Sequence, residues 1–86
     1  MKIILSKLFI KKFKKLTDNE KERFRERRDM FLMNPFNEIL NNHSLKGKYK
    51  GYRSINITGD VRVLYEPINK DMSYFVRLDI HSNLYK

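Results

Sequence analysis

The 86-residue sequence contains no cysteine and is poor in negative charge, with 10 acidic residues against 19 basic ones. Without cysteine, the chain cannot form disulfides or thiolate metal sites, and it cannot use thiol catalysis. No apolar run approaches the roughly 18 residues of a membrane span. Lys7, Lys11 and Lys12 interrupt the apolar start of the chain too early for a secretory signal. We therefore expect a soluble, cytoplasmic protein with no membrane partner.

Several common catalytic motifs are also missing. The sequence has no Gly-rich phosphate loop, no HExxH zinc motif and no serine in a nucleophile elbow. His43 and His81 are the only histidines and lie far apart in sequence, which argues against a structural metal site. No metal or cofactor is expected. The net charge of +9 instead favours a polyanionic partner, such as nucleic acid, an acidic membrane surface or an acidic protein.

The length leaves room for a single domain spanning residues 1–86. Lys2–Leu5 is predicted to form a first strand, and Ser6 to cap a helix with apolar residues at helical spacing. Thr17-Asp18-Asn19-Glu20 fits a capping box, which predicts a second helix running to about Asn34, because Pro35 discourages continuation. Two charged helices joined at a cap predict a helical hairpin that covers one side of the domain.

The second half of the chain alternates apolar and polar residues in three segments, Tyr52–Thr58, Val61–Glu66 and Tyr74–His81. Gly59-Asp60 and Pro67–Asp71 are predicted as the turns between them. The side chains expected to face the helices are Ile55, Ile57, Val61, Val63, Val76, Leu78 and Ile80. Those expected on the opposite, polar face are Ser54, Asn56, Arg62, Arg77, Asp79 and His81. The predicted fold is α+β in the order β-α-α-β-β-β, with an antiparallel sheet, the helical hairpin on one face and a short terminal element at Ser82–Lys86.

The polar face contains groups that could transfer protons or bind phosphate. His81 ends the last predicted strand, and an imidazole with an ordinary pKa near ~6.5 can gain or lose a proton at neutral pH. On the same strand, Asp79 would favour the protonated ring and Arg77 would oppose it. Arg62 lies on the neighbouring strand, and its planar guanidinium suits a phosphate group. A lone histidine is more often a solvated surface residue, but the shared polar face and the basic charge favour a functional role for His81. For Arg62, an ion pair with Glu66 or Asp79 explains the spacing equally well.

Residues 42–53 interleave positive charge with aromatic rings. The cations are Lys46, Lys48, Lys50 and Arg53, and the rings are Tyr49 and Tyr52. Cations bind phosphates while rings stack on unpaired bases, so this composition predicts a track for single-stranded nucleic acid. A solvated edge with both tyrosines in the core is the alternative.

An ordered set of short motifs resembles the YafQ-type branch of the RelE/ParE toxin superfamily. The motifs are His43-x-Leu45-x-Gly47, Gly51-Tyr52-Arg53, Gly59-Asp60-x-Arg62-x-x-Tyr65, Phe75-Val76-Arg77 and His81-Ser82-x-Leu84-Tyr85. The resemblance implies a RelE-like fold and a toxin of a type II toxin–antitoxin pair. Such a toxin enters the A site of the 70S ribosome and cuts mRNA without a metal, by attack of a ribose 2′-OH on the adjacent phosphate. A cognate antitoxin, with acidic or apolar segments that wrap the toxin, neutralises it.

The resemblance also implies roles for single residues. By position, His81 matches the family's catalytic histidine, a general acid or base. Asp60 matches the acidic residue of the turn, a second proton-transfer group, although turn formation alone would also explain it. His43 matches a histidine that supports cleavage, and Arg62 matches an arginine suited to stabilising phosphate charge. The positions implied to touch substrate or shape the site are Arg77 and Tyr85.

Two positions depart from the family pattern. Asn56, which is expected to touch substrate, stands where YafQ-like members can carry a further histidine. Asp79 replaces a small residue and is hypothesised to favour protonated His81. Two other functions share this fold or charge: a ParE-like toxin that inhibits DNA gyrase without nuclease activity, and a non-catalytic protein that binds RNA or the ribosome.

Overall fold

The computed structural model describes residues 1–84, whose helices and strands follow the predicted order with one additional strand. The elements are β1 (Lys2–Leu5), α1 (Lys7–Phe13), α2 (Asp18–Met33), β2 (His43–Ser44), β3 (Arg53–Asn56), β4 (Val61–Asn69), β5 (Met72–Ile80) and α3 (His81–Leu84). Two single 3-10 turns, Glu38–Leu40 and Gly47–Tyr49, lie between α2 and β3. Within residues 1–84, every helix is too short or too polar to cross a membrane.

One five-stranded sheet runs in the order β1-β5-β4-β3-β2. The antiparallel β3-β4-β5 meander is confirmed. β1 extends it in parallel with β5, which the long helical connection between these strands permits. The other edge strand, β2, pairs antiparallel with β3 through only two residues, too few to produce a recognisable alternation.

Both helix starts form as the sequence predicts. The Ser6 hydroxyl accepts a hydrogen bond from the Phe9 N–H at 2.9 Å and donates one to the Val76 carbonyl at 2.6 Å. Thr17 and Glu20 form the capping box, because each side chain accepts from the other residue's backbone N–H. The first cap therefore also ties α1 to β5, whereas the second lies on the surface.

The core lies between the helices and one face of the sheet. Its buried members are Phe9, Phe24, Phe31, Leu40, Ile55, Ile57, Val61, Val63, Tyr65, Phe75 and Leu78. The predictions for Val76 and Ile80 were wrong: Val76 is half-buried outside this cluster, and Ile80 is 41% exposed at the rim. The register explains Val76. Leu64 pairs with Arg77 but Tyr65 pairs with Phe75, so Val76 is the extra residue of a bulge.

Three predicted boundaries and the character of the outer face also need correction. β4 continues through Pro67, so the second turn narrows to residues 70–71, and the predicted Tyr52–Thr58 strand shortens to β3. His81 begins α3 rather than ending the last strand. The outer face is not wholly polar, because Leu64, opposite Ser54 and Arg77, is only 1% exposed.

Candidate active site

The turn between β3 and β4 and the first turn of α3 enclose a small open cavity. It has a volume of about 270 Å³ and is lined by Asp60, Ile80, His81 and Ser82. Val61 pairs with Ile80 at the end of the β4–β5 ladder, so the residues just beyond this pair become neighbours. The His81 N–H donates a hydrogen bond to the Asp60 carbonyl at 2.7 Å. The structure therefore brings together the two predicted proton-transfer residues, and both are exposed to solvent.

Asp79 anchors the segment that carries His81. Its Oδ1 accepts hydrogen bonds from the Ile80 N–H at 2.8 Å and the Asn83 amide at 3.1 Å. Its Oδ2 lies 3.2 Å from the Lys12 ammonium of α1. Partial burial by itself raises the pKa of Asp79, but these hydrogen bonds and the Lys12 charge outweigh it, so the pKa lies below its ordinary value. The carboxylate is thus committed to its own strand end, to α3 and to α1.

Arg62 binds the turn that carries Asp60. Its Nη1 donates to the carbonyls of Thr58 at 3.0 Å, Gly59 at 2.9 Å and Val61 at 3.3 Å. In register, Arg62 lies between Asn56 and Asp79, on the outer face as predicted. The guanidinium therefore binds the backbone on both sides of Asp60, and these hydrogen bonds hold the turn in one conformation.

His43 lies at the other edge of the sheet. His43, Ser54, Leu64 and Arg77 form one row across β2, β3, β4 and β5, so they share the outer face. The His43 Nδ1 lies 2.8 Å from the Asn41 carbonyl, which can only accept, so Nδ1 carries a proton. In the neutral ring, Nε2 is then the acceptor. The structure does not place His43 on the cavity of Asp60 and His81.

The 3-10 turn Gly47–Tyr49 contacts Arg77, the β5 member of this row. The Arg77 Nη1 donates to the Tyr49 hydroxyl at 2.9 Å, and the Lys48 ammonium lies 5.2 Å from the centre of the Tyr49 ring. The side chains of Lys46, Lys48 and Lys50 are exposed, and Tyr52 is half-buried. Lys48 and Arg77 therefore meet at Tyr49, and Lys46 and Lys50 are exposed on the same segment.

Arg53 does not belong to this group. Its Nε donates to the Asn42 Oδ1 at 2.7 Å, and its guanidinium carbon lies 5.2 Å from the centre of the Phe36 ring. Because Arg53 pairs with Tyr65, it faces the helix side of the sheet. The alternation of β3 contains this information, since Arg53 and Ile55 are two residues apart.

Asn42 is a structural residue that the sequence analysis missed. Its Oδ1 accepts the hydrogen bond from Arg53. Its Nδ2 donates to the Pro35 carbonyl and to the Tyr65 hydroxyl, both at 2.8 Å. These bonds fix the backbone immediately before His43. No local pattern marks this asparagine, because its partners come from three distant parts of the chain.

The remaining predicted residues are Asn56 and Tyr85. The Asn56 Oδ1 is buried without a hydrogen-bond partner among residues 1–84, as is the Ser54 Oγ in the neighbouring row. Tyr85 lies outside the described residues. Within residues 1–84, histidine, aspartate and glutamate form no group of three or more that could hold a metal ion.

The family model described as "Bacterial toxin of type II toxin-antitoxin system, YafQ" matches residues 1–86. The chain belongs to the YafQ family. A curated relative, the putative toxin YafQ of Haemophilus influenzae, is 39% identical over 51 residues, which cover 56% of this chain and 50% of the relative. The chain thus aligns with half the length of that YafQ relative.

Solved structures show the same fold. YafQ from Escherichia coli superposes with a TM-score of 0.81 at 20% identity, covering 99% of this chain and 98% of that one. A YafQ chain in a crystal structure of the E. coli DinJ–YafQ complex gives a TM-score of 0.70 at 22% identity, covering 99% and 98%. The predicted RelE-like fold is thereby confirmed.

Proposed function

We propose that this protein is a type II toxin that cuts mRNA on the translating 70S ribosome, and that the cavity of Asp60 and His81 is its reaction centre. The observation that carries the proposal is the 2.7 Å main-chain hydrogen bond between these residues, which holds a carboxylate and an imidazole beside one open cavity. Membership in the YafQ family supports the same reaction class.

The chemistry needs two proton transfers. One group of the pair removes the proton from a ribose 2′-OH as its oxygen attacks the adjacent phosphorus, and the other donates a proton to the departing 5′-oxygen. The products are a cyclic phosphate and a free 5′-OH, and the two groups exchange one proton each with the RNA. Neither step needs a redox partner.

Positive charge stabilises the extra negative charge that develops on the phosphate oxygens during attack. Arg62 can supply it beside the turn of Asp60, where three carbonyls hold the guanidinium in place. Arg77 and His43 lie in the next row, so we assign them to the substrate on either side of the scissile bond. Lys46, Lys48, Lys50 and Tyr52 then bind the neighbouring RNA.

We also propose a cognate antitoxin as the protein partner. The DinJ–YafQ complex is an assembly of this kind for the E. coli protein. A net charge of +9 favours an acidic partner, because opposite charges steer encounter and suppress wrong partners.

The test is His81→Gln, which removes the titratable group, alongside the control Asp71→Asn in the exposed turn at the far end of the β4–β5 hairpin. Losing one acid–base group reduces rates by about 10²–10⁴-fold. We expect that loss in a reconstituted translation reaction in which primer extension locates the cut mRNA. The control variant should cleave normally, and both variants should still bind the antitoxin.

Cleavage by His81→Gln within a few-fold of wild type would contradict the assignment of His81. Wild-type protein that stops growth while leaving mRNA intact, with DNA breaks trapped on gyrase, would instead identify a ParE-like toxin. Salt-sensitive RNA binding without cleavage or growth arrest would identify a plain RNA-binding protein.

A further inference from the structure

A second, larger cavity lies at the other end of the molecule. It has a volume of about 550 Å³, and its walls include Met1, Phe31, Phe36, Tyr65, Pro67 and Lys70. We call this cavity the apolar groove. Its volume falls within the roughly 300–1,000 Å³ of ligand sites, so it can accept a large side chain.

The surface beside the apolar groove is unusually apolar. Met33 is 88% exposed, Phe36 63% and Ile39 53%, all within the last turn of α2 and the segment that follows. Single exposed apolar residues are normal on a protein surface, but a patch of large ones favours an interaction site, and these three lie within seven residues of chain. The groove and this patch share Phe36.

The exposed Phe36 ring is held in place. The Arg53 guanidinium carbon lies 5.2 Å from the ring centre, and Arg53 is itself fixed through its hydrogen bond to Asn42. A pre-positioned aromatic side chain loses little conformational freedom on binding, which strengthens a contact made there.

The charge around the apolar groove selects the type of partner. Arg53 and Lys70 line it. Among the lining residues, all within the described part of the chain, there is no aspartate or glutamate. A second copy of this chain would also carry +9 and be repelled, whereas an acidic segment with an apolar side chain is complementary.

The apolar groove is remote from the Asp60–His81 cavity. Asp60 precedes β4 and Pro67 lies near its other end, so seven residues of extended strand, roughly 23 Å, separate them. A segment seated in the groove would leave the cavity open.

We propose that the apolar groove binds an acidic segment of the cognate antitoxin, which inserts one large apolar side chain between Phe36 and Pro67 and places a carboxylate near Lys70. This inference rests on the proposed function only in requiring an antitoxin. It adds that neutralisation depends on a surface separate from the reaction centre.

The test uses Phe36→Ala and Lys70→Glu, with Ile10→Ala as the matched control. Ile10 is a 41% exposed apolar residue on α1 and does not line the groove. The probe is the purified antitoxin encoded beside this chain, titrated against each full-length variant. Truncating a central aromatic contact raises Kd by about thirty-fold, so we expect that change for Phe36→Ala and a loss that grows at low salt for Lys70→Glu. Phe36→Leu should retain most of the affinity, and Ile10→Ala all of it.

Growth and cleavage are measured separately from binding. Phe36→Ala without antitoxin should be as toxic as wild type, but the antitoxin should rescue it poorly. An unchanged Kd for both Phe36→Ala and Lys70→Glu, or an equal loss in Ile10→Ala, would overturn the groove assignment. Concentration-dependent self-association that Phe36→Ala abolishes, with antitoxin binding intact, would assign the groove to a second copy and also overturn it. If His81→Gln cleaves normally while Phe36→Ala loses the antitoxin, only the assignment of His81 fails. If wild-type protein leaves mRNA intact while Phe36→Ala loses the antitoxin, only the proposed nuclease function fails.

Discussion

At the scale of single residues, Asp79 holds in place the part of the chain that leads to His81. Its three partners come from β5, α3 and α1, and together they fix the backbone two residues before His81. The sequence suggested that Asp79 favours the protonated His81 ring through its charge, and this stays a prediction. The structure adds an ion pair with Lys12 and two hydrogen bonds that hold the backbone before His81.

The lowered pKa of Asp79 makes stability depend on pH in a defined direction. Because its folded-state pKa lies below the ordinary value of about 3.9, the ionised side chain stabilises the fold fully above that pH. The contribution is lost as pH falls through the lower, folded-state pKa. Since Lys12 is 38% exposed, solvent screening limits the pair to about 0.5–1 kcal/mol.

We therefore predict that Asp79→Asn lowers the free energy of unfolding by about 0.5–1 kcal/mol at pH 7 and that this difference shrinks in acid, below the ordinary carboxyl pKa. The measurement is urea denaturation at two pH values, pH 7 and one below that ordinary pKa. Asp71→Asn, at an exposed turn, serves as the control and should match wild type. A difference of equal size at both pH values would show that the Lys12 pair is not its cause.

At the scale of secondary structure, the bulge in β5 is where the helices and the sheet are joined. Val76 is the extra residue of the bulge, and its carbonyl accepts the Ser6 hydroxyl. The Ser6 N–H also donates to the Phe75 carbonyl at 3.0 Å. A single serine thus caps α1 and satisfies a carbonyl that the irregular strand pairing leaves available.

Ser6→Ala should consequently cost more stability than the loss of an ordinary cap. Removing an N-cap hydroxyl costs about 1 kcal/mol, and leaving the Val76 carbonyl without its partner adds about 1–2 kcal/mol. Thr17→Ala, at the exposed capping box of α2, is the control and should cost about 1 kcal/mol. Equal losses in the two variants, measured by denaturant titration, would show that the bond to Val76 contributes nothing.

The bulge also marks a limit of what the sequence predicts. Capping boxes, hairpin turns and strict alternation are local, so both helix starts and the β3-β4-β5 meander follow from the sequence. A bulge depends on how two strands fit together, and nothing around Val76 reveals that Phe75 replaces it in the core. The two-residue β2 is likewise defined only by its partner strand.

The same distinction applies to the candidate site. Asp60 and His81 meet because a predicted hairpin places its ends together, and the family resemblance singled out both residues. The sequence analysis grouped Arg53 with the nearby lysines by composition. It overlooked that Arg53, two residues before Ile55, faces the same side of the sheet as that core residue. Asn42 could not be found at all, since its role depends on a three-way contact that exists only in the folded chain.

At the scale of the whole molecule, the two proposed binding surfaces lie apart. The 46–53 segment, with its exposed lysines, reaches Arg77 of β5 through Tyr49, whereas residues at the β4–β5 turn line the apolar groove. If the lysines bind RNA phosphates, each contact releases bound counterions from the RNA. For single strands, the slope of log K against log salt changes by about 0.7 for each phosphate contact.

Lys46→Gln should therefore weaken RNA binding most at low salt and make the salt slope shallower by about 0.7. The measurement is titration of a single-stranded RNA oligonucleotide, with 2′-O-methyl ribose at every position to prevent cleavage, at several salt concentrations. Lys15→Gln removes the same charge from the exposed turn that follows α1, so it controls for the loss of net charge and should leave the slope unchanged. If both variants lower affinity equally without changing the slope, RNA responds only to the overall +9 charge, and the 46–53 segment makes no direct phosphate contact.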